Sequence, residues 1–190
     1  MNNVAYAKTS DREDYEIING QVYMMSRPST NHMKIGGNIF NAFKNYLKGK
    51  RCETFYETSV FFDDDNNFIP DVIIVCNPEI IEEDGIYGAP DLVVEILSPS
   101  TARNDKISKK AIYEKFGVKE YWIVDPFGKS VEVYLLKDEK LELVNVYSTY
   151  RNFEWKNLTE EQKAAVEKAI KLSIYDDFCV TLEDIFENVK

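Results

Sequence analysis

Two short stretches, Ile69-Pro70-Asp71-Val72-Ile73-Ile74-Val75 and Leu92-Val93-Val94-Glu95-Ile96-Leu97, consist almost wholly of β-branched and aliphatic residues, yet each holds one acid. Short apolar runs of this kind, bounded by turn formers, read as strands covered on both faces, so both segments belong at the centre of a sheet. Taking an ionised carboxylate out of water costs several kcal/mol unless a cation or hydrogen-bond donors meet it. A chain that sets Asp71 and Glu95 on such strands therefore uses them together. The natural compensating partner is a divalent metal ion.

The remaining pattern alternates strands and helices. Asn19-Gly20 between Tyr15–Ile18 and Gln21–Met25 is the strongest two-residue hairpin signal, so a β-hairpin opens the fold. Met33, Ile39, Phe40, Phe43 and Leu47 fall at helical spacing over Thr30 to about Lys48, with a basic outer face and a weak centre at Gly36-Gly37. Phe55 to Phe62 and Ile69 to Cys76 read as an antiparallel pair around an Asp/Asn turn, which places Asp71 near a strand start. After Ser98-Pro99-Ser100-Thr101, whose side chains suit a turn and an N-cap, a helix is expected from about Ala102 to Phe116, closed by Gly117. Strands Glu120–Val124, Ser130–Leu136 and Leu141–Tyr147 complete a mixed sheet. Thr159-Glu160-Glu161-Gln162 is a capping box expected to start an amphipathic helix reaching about Leu172, and Thr181-Leu182-Glu183-Asp184 begins a last short helix.

These elements give an α/β (α+β) fold: a mixed β-sheet flanked by helices, with an N-terminal β-hairpin and a C-terminal helical appendage. One domain spanning 1–190 is expected, its core at about 15–147 and its helical extension at about 152–190. No stretch reaches the roughly 18 apolar residues that a membrane span needs, and the polar start from Met1 to Asp14 lacks a signal region. The expectation is a cytoplasmic protein with no membrane partner. Cys52, Cys76 and Cys179 form no Cys-x-x-Cys pair and read as reduced, buried thiols.

A net charge of −10 argues against general affinity for nucleic acid, but the charge is unevenly spread. Glu53 to Ser98 holds 12 acids and no Lys or Arg, whereas Lys34, Lys44, Lys48, Lys50 and Arg51 occupy the acid-free Thr30–Cys52. Arg103, Lys106, Lys109, Lys110, Lys115 and Lys119 follow the acidic stretch. Basic flanks around a cation-attracting centre fit this distribution, and so do ordinary solvated helix faces.

Strand geometry limits which acids can meet. Asp91 and Glu95 share a face but lie about 13 Å apart, too far for one metal, so Asp71 on the other strand is the better partner for Glu95. Leu97, two residues after Glu95, is apolar, so any lysine at the site must come from elsewhere. Lys106, Lys109, Lys110 and Tyr113 line one face of the following helix. His32, the sole histidine, suggests acyl transfer with Ser98 or Ser100 only if an oriented triad forms, and the sequence gives no sign of one.

Pro70-Asp71-Val72, the run from Pro90 to Thr101, Asp105, Lys109, Tyr113 and Glu120-Tyr121-Trp122-Ile123-Val124-Asp125-Pro126 resemble the Uma-two family of endonucleases, within the PD-(D/E)XK restriction-endonuclease-like superfamily. The resemblance runs from about Tyr15 to Tyr147. It implies that Asp71 and Glu95 bind the metal with the Ile96 carbonyl as a further ligand, that Lys109 is the displaced catalytic lysine, and that Glu16 adds a third acid. It further implies Mg²⁺, with Mn²⁺ able to substitute, phosphodiester hydrolysis of DNA, and a homodimer. Two other readings stand beside it: a catalytically inactive nuclease-fold binding or interaction module, and a metal-dependent hydrolase of RNA or another phosphoester.

Overall fold

The computed structural model describes residues 15–190. Strands β1 (Tyr15–Ile18) and β2 (Gln21–Met24) pair antiparallel across Asn19 and Gly20, both at positive φ (51° and 74°). That conformation is what a tight two-residue hairpin demands and what these two residue types adopt at least cost. Helix α1 (Thr30–Leu47) follows, its first turn closed by the Ser29 hydroxyl accepting from the His32 amide at 3.2 Å. A Cβ on Gly36 would meet the Tyr56 ring at 2.7 Å, so the absent side chain lets this helix lie against the neighbouring strand.

The two long strands expected over 55–62 and 69–76 are each broken at the same level. The first divides into β3 (Glu53–Tyr56) and β4 (Val60–Asp63), interrupted where Glu57 takes φ 47°. The second is shortened to β6 (Val72–Val75), and β5 (Asn66–Phe68) forms before it from residues that include part of the expected turn; the two are separated at Pro70-Asp71, since proline lacks the N–H a ladder requires. The Glu57 amide donates to the Asp71 carbonyl and bridges the two breaks at 3.1 Å. The hairpin thus leaves one sheet and enters another. After a short 3₁₀ turn at Pro78–Ile80 come β7 (Ile81–Glu82), β8 (Gly85–Tyr87) and β9 (Leu92–Ile96).

A continuous helix then begins with a π-wound turn over Asn104–Lys109 and passes into α2 (Lys110–Phe116). It crosses to β10 (Glu120–Asp125), which runs parallel to β9 and antiparallel to β11 (Ser130–Lys137). Strand β12 (Lys140–Ser148) ends this sheet, whose order is β12-β11-β10-β9-β6-β3. The second sheet has the order β2-β1-β5-β4-β8-β7. All five residues of β9 are buried because both faces are covered. Ile35, Ile39 and Phe43 of α1 pack against Val72, Ile74, Val94 and Trp122 on one face. Tyr113 of α2, with Ile18, Val60 and Phe68 of the second sheet, packs against Ile73, Val93, Tyr121 and Ile123 on the other.

The C-terminal segment departs from the expected helical appendage. It forms α3 (Asn152–Asn157), α4 (Glu160–Ala164), β13 (Ala169–Lys171), β14 (Cys179–Thr181) and α5 (Leu182–Ile185). The Thr159 capping box forms, yet α4 stops after five residues. Ile170 and Leu172 alternate into the α1-side core with period two, and that burial, shared with Val180, Leu182 and Ile185, overrides the helical pattern. Glu120, wholly buried, anchors the segment by accepting from the Ser173 amide (2.7 Å), the Ser173 hydroxyl (2.6 Å) and Trp122 Nε1 (2.6 Å). Burial raises the pKa of this carboxyl, although its three donors oppose the shift.

The cysteines also differ from expectation. Cys52 and Cys76 flank the paired strands β3 and β6, lie opposite each other, and form a disulfide, while Cys179 is free and exposed rather than buried. Separation in sequence gave no sign of this, because the register that joins them is set by the sheet. Among the described residues no helix is long and apolar enough to cross a membrane.

If the C-terminal segment is part of the core, Ile170→Ala lowers unfolding free energy by about 2–5 kcal/mol, the range for a fully buried Ile truncation. Urea denaturation checks this, and a loss below about 0.5 kcal/mol would restore the appendage view.

Candidate active site

Asp71 occupies the step where the chain leaves the break at Pro70 and enters β6. The β6–β9 register pairs Ile74 with Leu92, Ile73 with Val93 and Val72 with Val94, so one further step sets Asp71 level with Glu95. The ladder has no backbone partner there, and the Asp71 side chain substitutes: Oδ2 accepts from the Ile96 amide at 2.6 Å. Its other oxygen, Oδ1, meets Nε2 of His32 on the first turn of α1 at 2.6 Å. Burial alone would lower the His32 pKa, but the hydrogen bond and charge of Asp71 outweigh it and leave the imidazole raised. Hydrogen bonds to both oxygens fix the carboxylate at the open end of the sheet.

Glu95, one residue before the end of β9, shares with Val93 the face that α2 covers. Its Oε1 accepts from the Tyr113 hydroxyl at 2.6 Å and from Lys109 Nζ at 3.0 Å, and among the described residues no donor reaches Oε2. Lys109 is only 3% exposed, which is unusual for a lysine and follows from its neighbours. Its ammonium donates to Oε1 of Glu16 on β1 at 2.6 Å and lies 3.5 Å from Oδ1 of Asp105. The Phe68 ring stands 5.6 Å from Nζ on a further side. Glu16 is fixed in turn by the Ile69 amide at 3.0 Å.

The π-wound turn matters here. Such turns are rare, occur mostly as single turns inside α-helices, and often mark functional sites. This one carries Asp105 and Lys109 as its buried residues, and Tyr121 of β10 pins it by donating its hydroxyl to the Asp105 carbonyl at 3.0 Å.

Three carboxylates, from Glu16, Glu95 and Asp105, thus surround one ammonium. Burial pushes the Glu95 and Asp105 pKa values up, with Lys109 pulling both back. Burial works against charge on Lys109, but Glu95, Glu16 and Asp105 outweigh it and raise its pKa. The Tyr113 hydroxyl is raised as well, first by burial and then by the Glu95 charge, which makes it a donor rather than a base. One positive charge against three negative ones leaves the cluster short of cations.

Asp71, Glu95, Ile96, Glu16 and Lys109 all line one open cleft of about 1510 Å³. The donor set consists of hard oxygens, which suit Mg²⁺ or Mn²⁺ and not a soft metal. Among the described residues no three His, Cys, Asp or Glu side chains are already gathered as ligands. The expected set does not need three. Mg²⁺ usually keeps several waters and takes one or two carboxylates, so Asp71, Glu95 Oε2 and the Ile96 carbonyl fit its chemistry.

Of the sequence-derived candidates, Glu16, Glu95 and Lys109 meet directly, and Asp71 stands beside them at the sheet end. Lys106 points away to Glu132 (2.6 Å) and Lys110 to the Leu141 carbonyl (2.8 Å). His32 makes no triad; it holds Asp71. Ser98 and Thr101 form the turn before the helix, their hydroxyls 3.0 Å apart. Sequence reasoning assigned no role to Asp105, Glu57 or His32 in this cleft. Asp105 was legible as the i−4 neighbour of Lys109, whereas His32 reaches the site only through the α1 docking angle.

Comparison with known proteins agrees with this architecture. A family-wide sequence model, Uma2, described as "Putative restriction endonuclease", matches residues 5–167. Two proteins of Synechocystis sp., both named as uncharacterized, are similar in sequence. The protein slr1290 is 29% identical over 150 residues, 77% of this chain and 79% of that one. The protein sll1609 is 25% identical over 127 residues, 64% of this chain and 72% of that one. The crystal structure of a "putative nuclease belonging to DUF820" from Anabaena variabilis superposes with a TM-score of 0.70 at 20% identity, covering 92% of this chain and 90% of that one. At that identity the likeness concerns the fold.

Removing the ammonium tests the charge balance. Glu95 and Asp105 have folded-state pKa values above their ordinary ones, so the folded chain binds more protons than the unfolded chain over the interval above those values, and stability falls as pH rises across it. Lys109→Met deletes the charge that restrains both shifts. The variant is expected to lose about 3–5 kcal/mol near pH 8 and less toward pH 5, read from denaturation curves at several pH values. A loss independent of pH would contradict this account.

Proposed function

Because this chain belongs to the Uma2 family, we propose that it is a metal-dependent endonuclease that hydrolyses phosphodiester bonds of DNA. The observation that carries this reading is the convergence on one cleft of two strand-borne carboxylates, level in register, and one buried ammonium. Asp71, Glu95 and the Ile96 carbonyl hold the cation. When bound, Mg²⁺ polarises the phosphoryl group and lowers the pKa of a coordinated water.

The chain's own residues do the rest. The hydrogen bonds to the Ile96 amide and His32 keep Asp71 in one rotamer, as ligating carboxylates generally require. Lys109, held by Glu16 and Glu95, presents charge where negative charge grows on the phosphorane oxygens. Arg27 and Lys129 stand among the residues lining the cleft and give phosphate oxygens a positive landing point in a chain that is otherwise acidic. A homodimer is part of the reading, since cutting both strands of a duplex calls for two such centres related by symmetry.

The test is a cleavage assay on duplex, single-stranded and branched DNA, with RNA alongside, under Mg²⁺, Mn²⁺ or chelator. The wild type is expected to cut DNA with metal only. Asp71→Ala and Glu95→Ala abolish cutting, and Lys109→Met lowers it by about 10²–10³, the range for loss of one preorganised charge-stabilising donor. Cutting that survives in both purified alanine variants excludes these roles. A folded wild type that binds DNA but cuts nothing under any metal identifies a binding module on the nuclease fold.

A further inference from the structure

The floor and the rim of the cleft differ in chemistry. The floor carries Glu16, Asp71, Glu95 and Lys109, whereas the rim is apolar, with Tyr23, Met24 and Met25 along and just past the end of β2 and Phe127 on the turn between β10 and β11. All four rim side chains are exposed. Phe127, at 82%, is the most exposed large hydrophobic residue among the described residues. Single apolar side chains in solvent are ordinary, but several gathered around one concave site mark a place where a ligand is bound.

Phe127 is held where it stands. Its amide donates to Asp125 Oδ1 at 2.9 Å, and a Cβ on Gly128 would meet the other oxygen of that carboxylate at 2.8 Å, so the turn closes tightly over Asp125. Lys129, at φ 47°, braces the far side by donating from Nζ to the Val189 carbonyl at 2.9 Å. The backbone is thus fixed while the ring stays in solvent. Strand β10 runs parallel to β9 with Val124 level with Ile96, and Phe127 follows Val124 by three residues, within about 10 Å along the strand direction. The ring therefore stands beside the sheet end that carries Asp71 and Glu95.

A ligand for this rim offers flat apolar faces and negative charge together. Arg27 lines the cleft on the side of Tyr23 and Met25, and Lys129 lines it on the side of Phe127, so each apolar group has a cation close to it in sequence. A duplex turns its phosphates outward, keeps its base faces stacked inside, and is held by many cations, which a chain of net charge −10 does not supply. A single strand presents base faces and phosphates at once, and aromatic rings interspersed with cations are the usual platform for it. We propose, resting on the hydrolytic reading above, that the substrate class of this cleft is DNA whose bases are unpaired at the cut site, and that Phe127 is the specificity-determining residue that stacks on one of them. The stacked base steadies the strand so that a neighbouring phosphate reaches the floor, and Arg27 and Lys129 meet phosphates on either side. Every base has a flat face, so the discrimination is of strandedness and not of sequence.

Binding is measured apart from cutting, by fluorescence anisotropy of labelled oligonucleotides with Ca²⁺ in place of Mg²⁺. Single-stranded DNA is expected to bind at least about tenfold more tightly than a duplex of the same sequence. Phe127→Ala lowers single-strand affinity by about 5- to 150-fold, the range for loss of one base–aromatic stack, and leaves duplex affinity within about twofold of wild type. Phe127→Trp retains single-strand binding. With the ring 82% exposed, neither variant disturbs the core. A 2-aminopurine base placed in the strand is quenched on binding wild type and not on binding Phe127→Ala, a signature that a merely structural role would not give. An alanine variant that holds the single strand within about twofold of wild type overturns the proposal and leaves the hydrolytic reading intact. So does a duplex bound as tightly as the single strand, and a preference for RNA of the same sequence overturns the assignment to DNA. Phe127-dependent binding of single strands by a wild type that cuts nothing under any metal supports this recognition and overturns the hydrolysis instead.

Discussion

The ammonium of Lys109, sunk among Glu16, Glu95 and Asp105, is the contact on which the rest of this molecule turns. Its partners come from the opening hairpin, from the central strand of the main sheet and from the π-wound turn, three parts that among the described residues share no other polar bond this deep. Buried ion pairs are poor sources of net stability, because desolvation offsets most of the Coulomb gain. What they supply is specificity. With the lysine in place the docking of the second sheet on the first gives each acid a cation, and without it three buried acids face one another. The excess of negative charge that remains also gives the cleft a standing demand for cations.

That demand falls where the backbone itself is irregular. At the level of Glu57 and Pro70-Asp71 both strands of one hairpin break and pass from one sheet to the other. The main sheet therefore ends with a ladder amide, that of Ile96, which has no strand beside it, and the Asp71 carboxylate takes it. A continuous β6 would have filled that position with a backbone carbonyl and pointed Asp71 elsewhere. The opening in the sheet and the placement of the acid are thus one event, caused by a proline that cannot donate and a glutamate held at positive φ.

Much of this was legible in the sequence, for identifiable reasons. Continuous apolar runs marked β6 and β9 as central, Asn19-Gly20 fixed the hairpin, and Gly117 marked the end of the helix that carries Lys109. Asp71 and Glu95 were nameable because an acid in an apolar strand breaks the local pattern, whereas Lys109 and Glu16 were named only through the family resemblance. What stayed hidden depends on tertiary register. Cys52 and Cys76 meet only because β3 and β6 pair as they do. Ile170 and Leu172 suited a helix until the core offered them a period-two groove. His32 sits three residues past a helix cap, and nothing nearby in sequence signals that its ring will reach a strand end.

In the proposed site, Glu95 would serve both a lysine and a cation without conflict. Oε1 is saturated by Lys109 and Tyr113, which lock the side chain toward the helix layer, while Oε2 is left on the cleft side. Dividing the work between the two oxygens removes the need for the lysine to follow two residues later on the same strand, where Leu97 stands. An ammonium arriving from a helix approaches one oxygen and leaves the other to a cation in the proposed site, so the lysine and the strand-borne acids would satisfy the same charge balance by a different route through the chain.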